Sequence, residues 1–294
     1  MEILIYLTIA GIVQGSLYAL IALGFVLIYK SSSIFNFAHG ELVMVGAFMC
    51  WTFLTIDGFS IWASLGCAFL ATALLGLLIQ KFFISPLTGQ PILSAILMTL
   101  GIASILRGVA TIFWGSTWRT YPPIFPYAAL DVFGINIALQ HLLIFFIVML
   151  AFGLFTLFFQ KTKTGLAMRA TAEDHQTARS IGISVSWIFS LNWMIVCILA
   201  TLGGFLMATS VGVVIALSDI GLKSVAVVLF GGLESVKGAV VAGILIGLLE
   251  NIGGMYIDPL VGGGTKEIVP YVVLVLVLML KPHGLFGLKR IERV

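Results

Sequence analysis

Charged residues are scarce in this sequence of 294 residues. Lys, Arg, Asp and Glu together make up 9% of the chain, whereas a soluble domain carries about 25%. Apolar residues make up 61%, so too few polar side chains remain to cover a soluble domain of this length. The scarcity of charge excludes a soluble globular protein and predicts an integral membrane protein.

Motifs for nucleotide binding, catalysis and metal binding are also missing. No G-x-x-x-x-G-K-[ST] occurs, and GGGTKE at 262–267 has the wrong spacing for a phosphate-binding loop. Neither H-E-x-x-H nor G-x-S-x-G is present, and the four histidines are scattered. Cys50, Cys67 and Cys197 all lie in apolar segments, which predicts buried, unpaired thiols. We therefore predict no catalytic residue, no metal site and no cofactor in this chain, and its net charge of +3 gives no indication of nucleic-acid binding.

Long apolar runs fill most of the sequence. A membrane-crossing helix needs about 20 mostly apolar residues. Candidate spans lie at 4–29, 40–56, 61–80, 92–114, 137–159, 185–209, 238–256 and 268–281. A shorter run at 222–232 predicts a half-helix, and no segment has the alternating pattern of a barrel strand. The fold class is therefore an all-α polytopic bundle of about eight spans plus a half-span, in a single membrane domain over 1–294.

Basic residues in the short loops predict the orientation of the bundle. If the amino end lies outside, most of these residues fall on the cytoplasmic side: Lys30, Lys81, Lys161, Lys163, Arg169, Arg179, Lys237, Lys281, Lys289, Arg290 and Arg293. Arg119 and Lys266 remain on the outer side. The sequence thus predicts a carboxyl end in the cytoplasm. The first apolar run has no basic n-region and no cleavage site, so we expect a retained helix.

Polar residues interrupt the apolar pattern at 31–48, SSSIFNFAHGELVMVGAF. One interpretation is an ordinary connection between helices, with Ser33 or Asn36 capping the second helix. The other is a broken helix whose polar tip lines a cavity, because non-helical backbone at membrane depth must be satisfied by protein or water. A similar pattern at 221–247, where GGLESVKG follows a short apolar run, favours the second interpretation and indicates an internal repeat. There, Gly231 and Gly232 predict a sharp reversal.

Two further features of the apolar segments predict helix packing and possible ion pairs. GxxxG occurs at Gly11–Gly15 and Gly243–Gly247, which favours close packing of helices. Arg107 lies well inside the span 92–114, where an arginine costs about 2.5–3.5 kcal/mol. Its side chain either extends towards the outer edge, pairs internally, or contacts an anionic group of a substrate. Glu250 raises the same question, and a pair between Arg107 and Glu250 is one answer.

The largest polar stretch lies at 161–183, within the predicted cytoplasmic loop 160–184. Thr171 and Asp174 form a capping-box pattern, so a helix of about ten residues is predicted to begin near Ala172. Gly182 is the expected stop, just after Ile181. A short capped helix of this kind is either a solvated connector or an element that docks into a groove of another protein.

Four segments resemble permease subunits of branched-chain amino-acid ABC importers. They are GSLYALIALGFVLIYKSSSIFNFAHGELVMVGAF, RATAEDHQTARSIGISVSWI, GLKSVAVVLFGGLESVKGAVVAGILIGLLE and LVLMLKPHGLFG. They occur in the expected order and cover most of the chain. The resemblance implies an inner-membrane permease that works with a second, related permease, two ATPase subunits and a periplasmic substrate-binding protein. ATP and magnesium would bind to the ATPases and not to this chain.

The resemblance also implies roles for particular residues. The cytoplasmic helix at 172–182 would couple to an ATPase. The residues concerned are Arg169, Ala172, Glu173, Asp174, Ala178, Arg179 and Gly182. The two polar turns would support the translocation path, together with Arg107. Those residues are Asn36, His39, Glu41, Arg107, Gly231, Gly232 and Ser235.

Other functions compete with this interpretation. Urea, short amides and small organic acids are alternatives to branched-chain amino acids, because closely similar permeases carry them. A self-contained channel or secondary transporter would need gating by intramembrane charges, for which only Arg107 and Glu250 qualify. An intramembrane enzyme has no supporting motif.

Overall fold

In a computed structural model, residues 2–32, 34–87, 89–126, 128–132 and 135–287 are described. The helices are α1 (Glu2–Ser32), α2 (His39–Trp51), α3 (Ile61–Ile79), α4 (Ile92–Trp114), α5 (Leu139–Lys161), α6 (Lys163–Glu173), α7 (His175–Ser180), α8 (Val185–Val211), α9 (Asp219–Gly231), α10 (Val236–Val261) and α11 (Thr265–Leu280). Short π-helical turns extend α2 over Thr52–Ile56 and α3 over Gln80–Ile84. Single 3₁₀ turns occupy Ser85–Leu87 and Ile215–Ser218.

Seven helical segments among the described residues are long and apolar enough to cross a membrane. They correspond to the first seven predicted spans, which confirms the polytopic all-α class. The eighth predicted span, 268–281, is α11, whose 16 residues fall short of the usual spanning length. The predicted half-helix at 222–232 is α9, which has 13 residues. Thirteen residues extend about 20 Å, less than the thickness of the hydrocarbon core.

The segment between α4 and α5 contains a short hairpin that the helical prediction omits. Strands β1 (Ala129–Val132) and β2 (Ile135–Ala138) pair antiparallel, with Ala129 opposite Ala138. Hydropathy gives no sign of this hairpin, because each strand has only four residues.

The chain divides into two compact units that share three helices. One unit contains Met1–Val26, Phe125–Met149 and Leu222–Val294, and the other contains Leu27–Ile124 and Leu150–Gly221. Tail residues Lys289, Arg290 and Arg293, like Ser33, lie outside the described residues.

In the second unit, α2 forms the centre and packs against α3 and α8. Almost every residue of α2 is buried, as expected for a helix that is apolar all round. Small residues allow the backbones of α2 and α8 to approach, because a Cβ atom on Gly46 would lie 2.6 Å from Thr201 Oγ1. Cys50 and Cys197 are buried as predicted, but Cys67 is partly exposed, so the prediction of a buried thiol is wrong for that residue.

In the first unit, the two GxxxG motifs pack directly against each other. A Cβ atom on Gly11 would lie 2.9 Å from the carbonyl oxygen of Gly247. A Cβ atom on Gly15 would overlap the carbonyl oxygen of Gly243. The predicted packing role of these four glycines is therefore confirmed, and it joins the first part of α1 to α10.

Candidate translocation and coupling sites

Arg107 of α4 forms the centre of a charged cluster in the second unit. Its Nη2 atom lies 3.2 Å from Glu41 Oε1 and 3.3 Å from Asp219 Oδ1. The same nitrogen donates a hydrogen bond of 2.6 Å to Ser218 Oγ. Of the alternatives left open by the sequence, internal pairing is the one seen here. The pair suggested between Arg107 and Glu250 is wrong, because the acidic partners of Arg107 are Glu41 and Asp219.

Two helix beginnings meet at this cluster. Glu41 lies in the first turn of α2, and Asp219 is the first residue of α9. Gly40 and Gly221 allow this approach, since a Cβ atom on Gly40 would lie 3.1 Å from the Cα of Gly221 and would overlap the carbonyl oxygen of Ser218. Any larger residue at either glycine would separate the two helix starts. The sequence predicted Arg107 and Glu41 as path residues, but gave no sign of Ser218 and Asp219.

The polar break before α2 is held in place by hydrogen bonds from the protein itself. Asn36 is 1% exposed, and its Oδ1 accepts a hydrogen bond of 3.1 Å from the backbone N–H of Ala38. The backbone N–H of Phe37 donates to Thr99 Oγ1 of α4. Asn36 does not cap α2 directly, because the cap position is Ala38. His39, the first residue of the helix, is fully buried.

A second charged cluster lies in the first unit and was missed by the sequence reasoning. Lys223 of α9 places its Nζ 2.8 Å from Glu250 Oε1 of α10 and 3.2 Å from Glu267 Oε2 of α11. Nζ also donates a 3.3 Å hydrogen bond to the backbone oxygen of Lys266. Lys223 is the only charged residue between Asp219 and Gly231. A lysine within a short apolar run needs a partner, and this could have indicated the cluster from the sequence.

Gly231, Gly232 and Ser235 form the turn between α9 and α10. Gly232 has a φ of 104°, which favours glycine, and Ser235 caps α10 by accepting a hydrogen bond from the N–H of Gly238. The predicted sharp reversal is therefore present. The segment after α11 completes it: the N–H groups of Leu285 and Phe286 donate to the carbonyl oxygens of Phe230 and Gly231. The carboxyl-terminal motif thus satisfies the last carbonyls of α9.

The loop 160–184 contains two helices where one was predicted to begin near Ala172. That prediction is wrong, because α6 continues to Glu173 and α7 begins at His175. Asp174 is the true cap, since its Oδ1 accepts hydrogen bonds of 2.7 and 2.8 Å from the N–H groups of Gln176 and Thr177. Thr171 is buried and caps nothing. The stop at Gly182 is confirmed by its φ of 88°.

These hydrogen bonds set the charge of Asp174. Donation from the backbone N–H groups of Thr177 and then Gln176 lowers the pKa of this carboxyl below its ordinary value. The side chain is fully exposed and remains a carboxylate at neutral pH. The beginning of α7 therefore carries a fixed negative charge on the surface.

The predicted coupling residues differ in their surroundings. Glu173, Asp174, Arg179 and Gly182 are exposed, whereas Ala172 is partly buried. Ala178 is 1% exposed and faces the protein, although Ile181 close by is exposed. Arg169 is also turned inward: it donates a hydrogen bond to the carbonyl oxygen of Phe159 and stacks on that ring. Ala178 and Arg169 hold the loop in place.

Comparisons with known proteins identify the family. The sequence pattern described as "Branched-chain amino acid transport system / permease component" matches residues 7–278. The permease protein BraD of Pseudomonas aeruginosa is 30% identical over 97% of this chain and 96% of its own length. LivH of Escherichia coli is 27% identical with the same two coverages, and the probable LivH of Methanocaldococcus jannaschii is 29% identical over 97% and 93%.

A solved structure supports the fold. PsaBC from Streptococcus pneumoniae, in complex with Fab, superposes with a TM-score of 0.51, covering 96% of this chain and 93% of that one, at 13% identity. The seven apolar helices, the helical break before α2 and the match over 7–278 agree on one conclusion. This chain belongs to the family of branched-chain amino-acid transport permeases and is a multi-pass membrane permease subunit of an ABC importer.

Proposed function

We propose that this permease moves branched-chain amino acids, or similar small solutes, into the cell. Support comes from BraD and LivH, which are named as permease proteins of high-affinity branched-chain amino-acid transport systems. The match extends over almost the whole of both chains, so it includes the helical breaks as well as the spans. Urea, short amides and small organic acids remain the alternative substrates.

We propose that the chain works with four partners. They are a second, related permease, two ATPase subunits and a periplasmic substrate-binding protein. ATP and magnesium bind to the ATPases, and this chain contributes neither a catalytic residue nor a cofactor site. The amino end lies outside the inner membrane and the carboxyl end in the cytoplasm. Support for the separate ATPases comes from the sequence, which lacks a phosphate-binding loop.

Helix α7 is the proposed coupling element. It is short, begins at a side-chain cap and ends shortly before Gly182, and its residues other than Ala178 are exposed. Ala178 is buried and attaches the helix to its own unit. Glu173, Asp174 and Arg179 are left to contact the ATPase surface. Motion of an ATPase would then be transmitted to α8, against which α7 packs.

Translocation roles are proposed for the polar break of each unit separately. In the second unit, the residues are Asn36 and His39 in the break and Glu41 and Arg107 in the cluster. In the first unit, they are Gly231, Gly232 and Ser235 in the turn. Charged side chains within a membrane almost always face protein or water, which supports a polar path beside Arg107.

Co-purification and uptake test the proposal together. The tagged chain, extracted gently from its native membrane, is expected to retain two ATPase subunits and a second permease.

Arg179→Glu is expected to lower uptake at least tenfold, because it reverses a charge on the exposed side of α7. Lys81→Glu is the matched control, since it changes an exposed basic residue in the π-helical turn that extends α3. Normal coupled uptake by Arg179→Glu would reject the role of α7.

The second candidate is a stand-alone transporter, which the intramembrane charges Arg107, Lys223 and Glu250 favour. Flux of substrate through liposomes containing only this chain would support it. A stable preparation without ATPases, combined with such flux, would replace the importer assignment.

A further inference from the structure

The Arg107 cluster retains hydrogen-bonding capacity that its own partners do not use. All three contacts of the guanidinium are made by Nη2, to Glu41, Ser218 and Asp219. Nε and Nη1 have no hydrogen-bond partner among the residues that the structure describes. The Arg107 side chain is 47% exposed and that of Asp219 is 59% exposed, whereas Glu41 is 10% exposed. One cation and one anion therefore lie side by side on an accessible surface.

The charges of the cluster do not balance. Arg107 contributes one positive charge, and Glu41 and Asp219 contribute two negative charges. The positive ends of the α2 and α9 helices meet at the same place and partly offset this excess. The site can therefore accept an anionic group on the free edge of Arg107, provided that a cationic group reaches Asp219.

We infer, on the basis of the proposed function, that the Arg107 cluster binds the charged backbone of an α-amino acid in transit. Nη1 of Arg107 donates to the α-carboxylate, and the α-ammonium donates to the exposed carboxylate of Asp219. Glu41 and Ser218 hold the guanidinium in position through Nη2. The side chain of the substrate does not take part in these contacts.

The spacing of the two charged groups supports this assignment. Arg107 Nη2 lies 3.3 Å from Asp219 Oδ1, so the exposed edges of both side chains lie within reach of one small zwitterion, whose two charged groups are joined through a single carbon atom. The alternative substrates fit less well. Urea and amides have no charge to match, and an organic acid supplies no cation for Asp219 while it meets two carboxylates. Desolvated charges that lack partners are costly within a membrane.

Ligand binding to the full-length chain in lipid nanodiscs provides the direct test, by saturation-transfer NMR. The ligands are L-leucine, its decarboxylated analogue 3-methylbutylamine and its deaminated analogue 4-methylpentanoate. We expect L-leucine to bind roughly tenfold more tightly than either analogue, because each analogue lacks one charge-assisted hydrogen bond. Absence of saturable leucine binding, or equal binding of all three ligands, would overturn the assignment.

Substitutions at the two ends of the site should change specificity in opposite ways. Asp219→Asn is expected to remove the preference for leucine over 4-methylpentanoate and to keep the preference over 3-methylbutylamine. Arg107→Gln should remove the preference for leucine over 3-methylbutylamine and keep the preference over 4-methylpentanoate. If this variant does not fold, Arg107→Lys is the substitute, and it should keep the preference for ligands with a carboxylate. Asp57→Asn is the control, because Asp57 is also exposed but lies outside the cluster. Equal weakening of all ligands by both substitutions would indicate a purely structural role.

Failure of this site and failure of the importer assignment give different results. If Arg107→Gln and Asp219→Asn importers take up leucine with unchanged KM, the site is wrong and the importer stands. If the chain binds leucine as expected but no ATPase purifies with it, the importer is wrong and the site stands.

Discussion

At the residue scale, a buried ion pair is the feature of the first unit that is most sensitive to the loss of one partner. Lys223 and Glu250 are paired at 2.8 Å, with side-chain exposures of 11% and 5%. Removal of one partner of a buried pair leaves the other charge without compensation, at a cost of about 3–5 kcal/mol. The pair connects α9 to α10, so its loss would weaken the attachment of the half-helix α9 to α10.

Lys223→Met is therefore expected to destabilise the first unit by about 3 kcal/mol, because Glu250 is left buried without a partner. Thermal unfolding in detergent measures the effect. The double variant Lys223→Met, Glu250→Gln should recover most of the loss, since the unpaired charge is removed. Lys237→Met, an exposed lysine of α10, is the control and should change little. A single variant as stable as the control would show that the pair contributes nothing.

At the scale of elements, glycines determine how closely helices approach. Gly15→Ala is expected to lower the free energy of unfolding by about 1–3 kcal/mol, because its Cβ would meet the backbone of Gly243 and Ile244 on α10. Gly153→Ala is the matched control: Gly153 lies in α5 with nothing within 4 Å of an added Cβ. Alanine there should be neutral or stabilising by up to about 1 kcal/mol. Equal effects of the two substitutions would contradict close packing of α1 against α10.

The cap of α7 gives a second prediction at this scale. Asp174→Ala should speed hydrogen exchange at the N–H groups of Gln176 and Thr177, whereas Asp174→Asn should retain most of the protection, because asparagine also caps helices. The pKa of Asp174 is lowered in the folded chain, so the stabilisation by its carboxylate is fully present at neutral pH. It is lost only as the pH falls through that lowered pKa.

Coupled ATP hydrolysis then separates two roles of Asp174. If Asp174→Asn restores both exchange protection and coupling, the residue acts through the cap. If it restores protection alone, the negative charge itself contacts the ATPase.

At the scale of the whole molecule, orientation is the property to test. In a Cys67→Ser background, Asp57→Cys should react with a membrane-impermeant maleimide in intact cells, whereas Arg179→Cys should react only after permeabilisation. Cys50 and Cys197 are buried and should contribute little background. The reverse pattern would place the amino end in the cytoplasm, and α7 could then not meet a cytoplasmic ATPase.

The sequence by itself determined the membrane class, the first seven spans and the half-helix, because each depends on local hydropathy. It also singled out Arg107 and Glu41, since a charge stands out within an apolar run. Glycine signals were equally local, as the stop at Gly182 and the reversal at Gly232 demonstrate.

Tertiary structure alone decided which charges meet. Arg107 and Asp219 are 112 residues apart in the chain, and no sequence period connects them. The choice of cap in the loop 160–184 was likewise tertiary. Thr171 and Asp174 both fit a capping pattern, but Thr171 is buried and only Asp174 is exposed at the break between α6 and α7. Local composition fixes where helices form, whereas the partners of a buried polar group depend on how those helices pack.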